Sequence, residues 1–151
     1  RDIKADNIML VENPSKSLDP VLIDFSLAKL VSSAMYSETN VELKDTGSTH
    51  TGEVGTVTYT APEVVERRPY GFKSDLWSAG IVLLELLRNR TVEAEKNKEA
   101  DREVTNALAS LPDQPFANLV RGLLTKDPDA RLSARQALAS LLFRKFSLEV
   151  P

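Results

Sequence analysis

The sequence predicts a mainly α-helical domain with one small β-hairpin near its start. Two observations support this fold class. Beyond residue 61, most apolar residues recur at the three- and four-residue spacing of helices. Two short apolar runs, residues 8–11 and 21–25, flank a spacer with two prolines, which is typical of a hairpin with a long loop. We see no internal repeat, and 151 residues are enough for one domain with its own core.

The composition is that of an ordinary globular protein. Charged residues make up 27%, hydrophobic residues 42% and the net charge is -3, so we expect no nucleic-acid partner. No apolar run has the length of a membrane span, so we expect no membrane partner and take cytoplasm or nucleus as the default compartment. The absence of cysteine excludes a disulfide framework. Because the chain starts with Arg1 rather than Met, inside a polar loop, we expect a piece of a longer protein.

The polar loop that opens the chain has the residue types of a catalytic loop. Asp2 can accept a proton, Lys4 can neutralise phosphate charge, and Asn7 can offer an amide oxygen to a metal ion. A solvated turn is the alternative interpretation of this loop. The second apolar run of the hairpin ends in Asp24, and we expect this acid to lie beside the opening loop with Asp2 and Asn7.

A long loop follows the hairpin. Residues 27–60 have little helical or strand periodicity, and residues 32–51 are rich in Ser, Thr, Asn, Glu and Gly. Loops of this length inside a compact domain are usually functional or disordered. The hydroxyl residues make the loop a candidate target for phosphorylation, and a solvated linker is the alternative.

The first two predicted helices lie at residues 61–66 and 75–88. We expect Thr60 to cap the first and Ser74 to cap the second. The second helix has almost no polar face, so we expect it to form the buried core. Asp75, in its first turn, either favours the helix dipole or accepts hydrogen bonds from loop backbone.

Three further helices complete the fold. An amphipathic helix is predicted over residues 95–111 and another over residues 116–124, and residues 126–131 interrupt the pattern. Ser133 is predicted to cap a last helix that runs to about residue 146. Its inward-facing residues are predicted to be Ala137, Leu138, Leu141 and Leu142.

The order of the motifs resembles the C-terminal lobe of a eukaryotic-type protein kinase over nearly the whole chain. Arg1, Asp2, Lys4 and Asn7 match the catalytic-loop signature H-R-D-x-K-x-x-N from its arginine onward. Asp24-Phe25-Ser26 matches the metal-binding D-F-G signature in two positions of three. Ala61-Pro62-Glu63 matches A-P-E, residues 74–80 match the start of the family's central helix, and residues 126–131 match its closing motif.

The resemblance implies a fold and a reaction. Residues 1–151 would be a partial kinase domain, α+β when complete, with residues 24–63 as its activation segment. The implied reaction is transfer of the γ-phosphoryl group of ATP to Ser or Thr of a protein substrate, with Mg²⁺. Lys4 and Thr56 are typical of the serine/threonine class, in which this threonine contacts the loop acid and lysine.

The resemblance also implies a role for each matching residue. Asp2 would orient the substrate hydroxyl and accept its proton, and Lys4 would neutralise the transferring phosphoryl group. Asn7 and Asp24 would hold Mg²⁺. Met9 and Ile23 would line the adenine pocket, and simple core packing is the alternative for both.

Structural and regulatory roles follow in the same way. Glu63 and Arg131 would form a buried ion pair, and Asp75 would hold the backbone of the catalytic loop. Arg1 would bind a phosphorylated residue of the activation segment, with Thr51 as the first candidate and Thr49 as the second. Asp6 and Glu85 are candidate acidic subsites for basic substrate residues, with surface and packing roles as the alternative.

Two departures from the family pattern bear on activity. Ser26 replaces the glycine of D-F-G, and its side chain restricts positive φ and thereby the conformational flip that glycine permits. These residues also contain no Gly-rich nucleotide loop, strand lysine or partner glutamate, so we expect this piece alone to be inactive. A non-catalytic, pseudokinase-like scaffold that binds other proteins is the alternative function.

Overall fold

The computed structural model describes residues 1–28, 57–92, 94 and 97–140. In chain order the elements are a 3-10 turn (Ala5–Asn7), strands β1 (Ile8–Glu12) and β2 (Leu18–Leu22), a second 3-10 turn (Val57–Tyr59), and helices α1 (Pro62–Val65), α2 (Lys73–Arg88), α3 (Asn97–Ser110), α4 (Pro115–Leu123) and α5 (Ala134–Leu138). The predicted fold class, mainly helical with one small hairpin, is therefore confirmed. Within these ranges no helix combines the length and the apolar character that crossing a bilayer requires.

The hairpin is antiparallel, and its second strand lies earlier in the sequence than predicted. Ile8 lies opposite Leu22, and the register continues from there to the turn. Asn13 organises that turn: its side-chain oxygen accepts from the amides of Ser15 and Ser17, both at 3.0 Å. β2 therefore begins directly after Ser17. It ends before Asp24, whose left-handed backbone (φ 60) cannot continue a strand.

Neither predicted cap of the first two helices is formed. Ala61, rather than Thr60, precedes α1 in an extended conformation, and no side chain caps this helix. Pro62 at its first position has no N–H, so fewer amides need a cap. α2 begins at Lys73, before Ser74, because the turn at Gly71 already starts the helical path. The Ser74 hydroxyl instead donates to the Gly71 carbonyl at 2.8 Å.

Helix α2 forms the centre of the core, as predicted. Trp77, Ile81 and Leu84 are buried along it and pack in one cluster with apolar residues of α3, α4 and the neighbouring loops. The burial is not complete around the helix, since Leu86 is 69% exposed. The apolar sequence of α2 therefore overstates how much of its surface the described residues cover.

Helices α2 and α4 cross at Gly80. A methyl group added there would lie 2.9 Å from the Leu124 side chain, so the missing side chain is what permits the approach. Gly122 of α4 is in close contact with Leu132 in the same way, and the Leu132 amide donates to its carbonyl at 3.0 Å. The two glycines thus set the spacing between α4 and its neighbours.

The last helix starts as predicted and ends early. The Ser133 hydroxyl accepts from the Gln136 amide and the Gln136 side chain accepts from the Ser133 amide, which completes a capping box. Ala137 is buried, but Leu138 is 64% exposed, so its predicted inward position is wrong. The helix ends at Leu138 because the chain tightens into a turn in which the Ser140 amide donates to Ala137. Leu141 and Leu142 lie outside the described residues.

Candidate active site

The opening loop holds its acid, cation and amide in mutual contact. Lys4 Nζ lies 3.0 Å from Asp2 Oδ2. The Asn7 side-chain amide donates to the same oxygen at 3.0 Å and to the Asp2 carbonyl at 2.8 Å. Asp2 Oδ1 has no hydrogen-bond partner within the described part of the chain. The loop therefore fixes the carboxylate through one oxygen and leaves the other to accept a proton.

Backbone hydrogen bonds explain why the loop adopts this shape. The Asn7 amide donates to the Lys4 carbonyl at 3.0 Å, which closes the short 3-10 turn. The Asn7 carbonyl in turn accepts from the Ile23 amide at 2.8 Å. Because Ile23 immediately precedes Asp24, this bond ties the second acid to the catalytic loop. The hairpin thus brings the residue before Asp24 into contact with the catalytic loop.

Asp24 is held in an ionised state by its surroundings. The hydroxyl and the amide of Ser26 lower its pKa, and the Lys4 charge adds to this effect against a smaller opposing contribution from desolvation. The amide bond is direct, with Ser26 N 3.0 Å from Asp24 Oδ1. Ser26 is absent from the residues with positive φ, so the expected steric conflict of serine at this position does not arise in this conformation.

The donor set of Asn7 and Asp24 fits Mg²⁺. Because the Asn7 nitrogen is used on Asp2, its side-chain oxygen is the atom left for a cation. Asp24 offers a carboxylate with one oxygen not engaged by Ser26. No group of three or more metal-ligating His, Asp or Glu side chains occurs in the described ranges. This sparse oxygen set suits Mg²⁺, which takes one or two protein ligands and completes its shell with water and phosphate.

The catalytic loop is anchored to the core helix at Arg1. The Arg1 backbone nitrogen lies 3.1 Å from Asp75 Oδ1, so this acid contacts loop backbone, the second of its two expected roles. The Arg1 guanidinium stacks over the Tyr70 ring, 5.5 Å from its centroid. Its Nε and Nη2 atoms are buried and have no hydrogen-bond partner among the described residues.

Met9 and Ile23 lie on the hairpin beside the loop. Met9 sits opposite Val21 in β1 and is 52% exposed, so it is not part of the core formed by the described residues. Ile23 is half-buried. The role expected for both residues remains a prediction.

A buried network fastens residues 58 and 59 to α2. The Tyr59 hydroxyl donates to Glu85 Oε2 at 2.8 Å, and the Val92 amide donates to Glu85 Oε1 at 2.9 Å. Ser78 Oγ donates to the Tyr59 carbonyl at 2.8 Å, and Thr58 Oγ1 donates to the Val92 carbonyl at 3.2 Å. Burial, with the nearby Glu85 carboxylate, raises the pKa of Tyr59 and keeps it a donor.

This network assigns Glu85 a packing role. Both of its oxygens accept hydrogen bonds and the residue is buried. Glu85 therefore has the packing role that was the alternative to an acidic subsite. Sequence reasoning missed Tyr59, Ser78 and Val92 as parts of the network. No local signal identifies them, because Glu85 and its two donors are separated by up to 26 positions.

Arg131 and Glu63 form the buried ion pair that the resemblance implies. Two guanidinium nitrogens donate to the two Glu63 oxygens, at 2.7 and 2.8 Å. Arg131 also donates to the carbonyls of Lys73 and Thr125, at 2.8 and 2.9 Å, and lies over the Trp77 ring. The pair thereby joins α1, the start of α2 and the loop before α5.

Three predicted site residues, Thr49, Thr51 and Thr56, lie outside the described residues. Their expected roles remain predictions. The remaining loop acid, Asp6, is exposed, which fits both a surface role and an acidic subsite.

The family model and the similar proteins all indicate the same family. The family model for the protein kinase domain matches residues 1–143. The chain is 34% identical, over 99% of its length, to CBL-interacting protein kinase 4 of Oryza sativa subsp. japonica, and covers 31% of that protein. It is 32% identical, over 96% of its length, to CBL-interacting serine/threonine-protein kinase 15 of Arabidopsis thaliana, and covers 32% of it. It is 31% identical, over 91%, to serine/threonine-protein kinase Nek6 of Oryza sativa subsp. japonica, covering 23%. The chain thus spans a third or less of the length of these relatives.

Proposed function

The chain belongs to the protein kinase family, and from this premise we propose that it supplies the catalytic lobe of a serine/threonine kinase. The whole protein transfers the γ-phosphoryl group of ATP to a Ser or Thr hydroxyl of a protein substrate. The serine/threonine class is supported by Lys4, which contacts Asp2, and by the names of the similar kinases.

The observation that carries this proposal is the geometry of the opening loop. Asp2 is held by Lys4 and Asn7 through Oδ2, which leaves Oδ1 to orient a substrate hydroxyl and to take its proton. Lys4, already beside this carboxylate, neutralises charge on the phosphoryl group as it transfers. Positioning and charge stabilisation of this kind account for most of phosphoryl-transfer catalysis.

Asn7 and Asp24 hold the magnesium that the reaction uses. When bound, Mg²⁺ neutralises and orients the phosphates of the nucleotide. The pKa of Asp24 lies below an ordinary value that is already acidic, so this ligand is ionised at neutral pH. Met9 and Ile23 line the adenine end of the nucleotide site, supported by the exposure of Met9 on the hairpin.

The buried network around Glu85 holds residues 58 and 59. Tyr59 and Thr58 are bonded to α2 and to Val92. For Thr56 we propose the contact with Asp2 and Lys4 that the resemblance implies. Both oxygens of Glu85 accept hydrogen bonds from within the protein, so Glu85 does not bind basic residues of the substrate.

Phosphorylation of the activation segment regulates the site through Arg1. Two of its guanidinium nitrogens are buried and lack a partner among the described residues, which disfavours the unliganded arrangement. A phosphate brings about 1.5 to 2 negative charges and three acceptor oxygens for these donors. Thr51 is the first candidate carrier of this phosphate and Thr49 the second.

Labelling of a basic protein from Mg-ATP by the full-length protein tests the proposal. Asp2→Asn keeps the size of the side chain and removes the proton acceptor, so we expect the labelling rate to fall by about 10²-fold to 10⁴-fold. The matched control is Asp113→Asn, which makes the same chemical change at an exposed position before α4. If the parent protein gives no labelling at all, the non-catalytic scaffold is the better function.

A further inference from the structure

Ser26 occupies the position at which the D-F-G signature has glycine, yet its backbone is not strained. Among the described non-glycine residues, positive φ occurs at Lys16, Asp24, Arg67 and Asn89. The left-handed residue of this turn is therefore Asp24 itself. Ser26 adopts a conformation that is open to any residue, so nothing in this arrangement requires glycine.

The backbone of Ser26 contacts Asp24. The Ser26 amide donates to Asp24 Oδ1 at 3.0 Å. Immediately beyond, the Ala28 amide donates to the Phe25 carbonyl at 3.0 Å and closes the following turn. The carboxylate is thus fixed by the residue two positions later, which is also the residue that departs from the family pattern.

We propose that Ser26 is a positioning residue that holds the Asp24 carboxylate in its metal-binding orientation. The Cβ atom of serine removes left-handed conformations that glycine would sample, and so reduces the number of competing arrangements of the turn. In the observed arrangement the Ser26 amide donates to Asp24 Oδ1. Serine at this position therefore supports metal binding rather than impairing it.

This inference rests on the proposed function, because the oriented carboxylate matters only as a metal ligand. The size of the Cβ effect can be taken from the conformational entropy that glycine adds to the disordered state. Replacing glycine with a residue that fits the same conformation favours the ordered state by about two- to fivefold. Removal of the serine side chain should therefore weaken metal binding by about the same factor.

Two variants of the full-length protein test the role of the Cβ atom. Ser26→Gly removes it, whereas Ser26→Ala keeps it and is the matched control. Titration of Mn²⁺ in the presence of ADP, followed by electron paramagnetic resonance of the free ion, measures the metal affinity without any turnover. We expect Ser26→Ala to bind Mn²⁺ as tightly as the parent and Ser26→Gly to bind it about two- to fivefold more weakly.

Hydrogen exchange gives a second readout that needs neither metal nor nucleotide. The Ala28 amide is chemically unchanged in both variants and reports whether the turn is closed. We expect it to exchange about two- to fivefold faster in Ser26→Gly than in Ser26→Ala. Since Ser26 is exposed, the thermal unfolding temperature of Ser26→Ala should agree with that of the parent.

The outcomes distinguish this inference from the proposed function. Equal or tighter Mn²⁺ binding by Ser26→Gly, with unchanged exchange at Ala28, overturns the positioning role of Ser26 and leaves kinase function standing. A parent protein that binds no Mn²⁺ with ADP overturns the proposed function. Faster Ala28 exchange together with weaker Mn²⁺ binding in Ser26→Gly supports the inference.

Discussion

Arg131 carries a full positive charge at a position that is 1% exposed. Its pairing with Glu63, at 2.7 Å, compensates that charge, and further backbone carbonyls take up its remaining donors. We therefore expect Arg131→Ala to lower the free energy of unfolding by about 3–5 kcal/mol, because Glu63 is left buried and unpaired. Denaturant unfolding of the purified protein measures this loss.

The matched control for Arg131 is Arg102→Ala, an exposed arginine on α3. It should change the unfolding free energy by less than about 0.5 kcal/mol. Equal stability of the parent and Arg131→Ala would show that the pair does not stabilise the fold.

Tyr59 offers a test of the network around Glu85. Tyr59→Phe removes the hydroxyl and leaves a buried carboxylate oxygen without its donor, so we expect a loss of about 1–3 kcal/mol in stability. The native pKa of Tyr59 is raised above 10.0, so above that pH the unfolded chain loses its proton first. The stability of the parent should therefore fall above about pH 10, and Tyr59→Phe should lack that part of the fall.

Unfolding of the two proteins at pH 8 and pH 11 measures both effects. Tyr36→Phe makes the same change at a position outside the described residues and serves as a comparison for hydroxyl removal. Parallel pH profiles for the parent and Tyr59→Phe would rule out titration of this hydroxyl as the cause.

Thr51 belongs to the regulatory hypothesis. If phosphate at Thr51 pairs with Arg1, phosphorylated full-length protein should be at least about tenfold more active than the unphosphorylated form, since charged hydrogen bonds contribute about 1.5–3 kcal/mol. Thr51→Ala should abolish the increase, and Thr39→Ala should retain it. Activity measured before and after phosphatase treatment gives the ratio, and a ratio unchanged in Thr51→Ala would redirect the hypothesis to Thr49.

At the scale of elements, the contact between α4 and the following loop depends on Gly122. An alanine side chain there would collide with Leu132, at a cost of about 1–3 kcal/mol that outweighs the gain of about 0.5–1 kcal/mol in helix propensity. We expect Gly122→Ala to be destabilising in chemical unfolding. In a Leu132→Ala background the collision is removed, so the same change should become stabilising. A destabilisation of equal size in both backgrounds would contradict the packing explanation.

The elements also show where sequence patterns succeed. The capping box at Ser133 was predictable because both partners lie within one helical turn. The starts of α1 and α2 were not, since a proline and the turn at Gly71 replace the side-chain caps that Thr60 and Ser74 were predicted to supply. The early end of α5 was missed because the apolar spacing continues past Leu138 although the backbone turns.

At the scale of the whole molecule, the described residues pack around α2. The catalytic loop contacts the first turn of α2, and the hairpin is hydrogen-bonded to that loop. The Arg1 backbone contacts Asp75 in the first turn of α2. Arg131, which is paired with Glu63, donates to the Lys73 carbonyl in the same turn. Residues of the site thus depend on the same helix end as the ion pair. The contact with α2 holds the catalytic loop in place, although the loop itself has only a three-residue turn of regular structure.

The sequence alone determined the family, the mainly helical fold and the identity of the acid, cation and amide of the loop. These follow from residue types at short, fixed spacing, which a linear pattern records. Only the tertiary structure decided that Glu85 serves the internal network, that Leu138 faces outward, and that Asp24 rather than Ser26 takes the left-handed conformation. Each of these depends on hydrogen bonds or burial between residues distant in sequence, or on backbone angles that residue types permit without dictating.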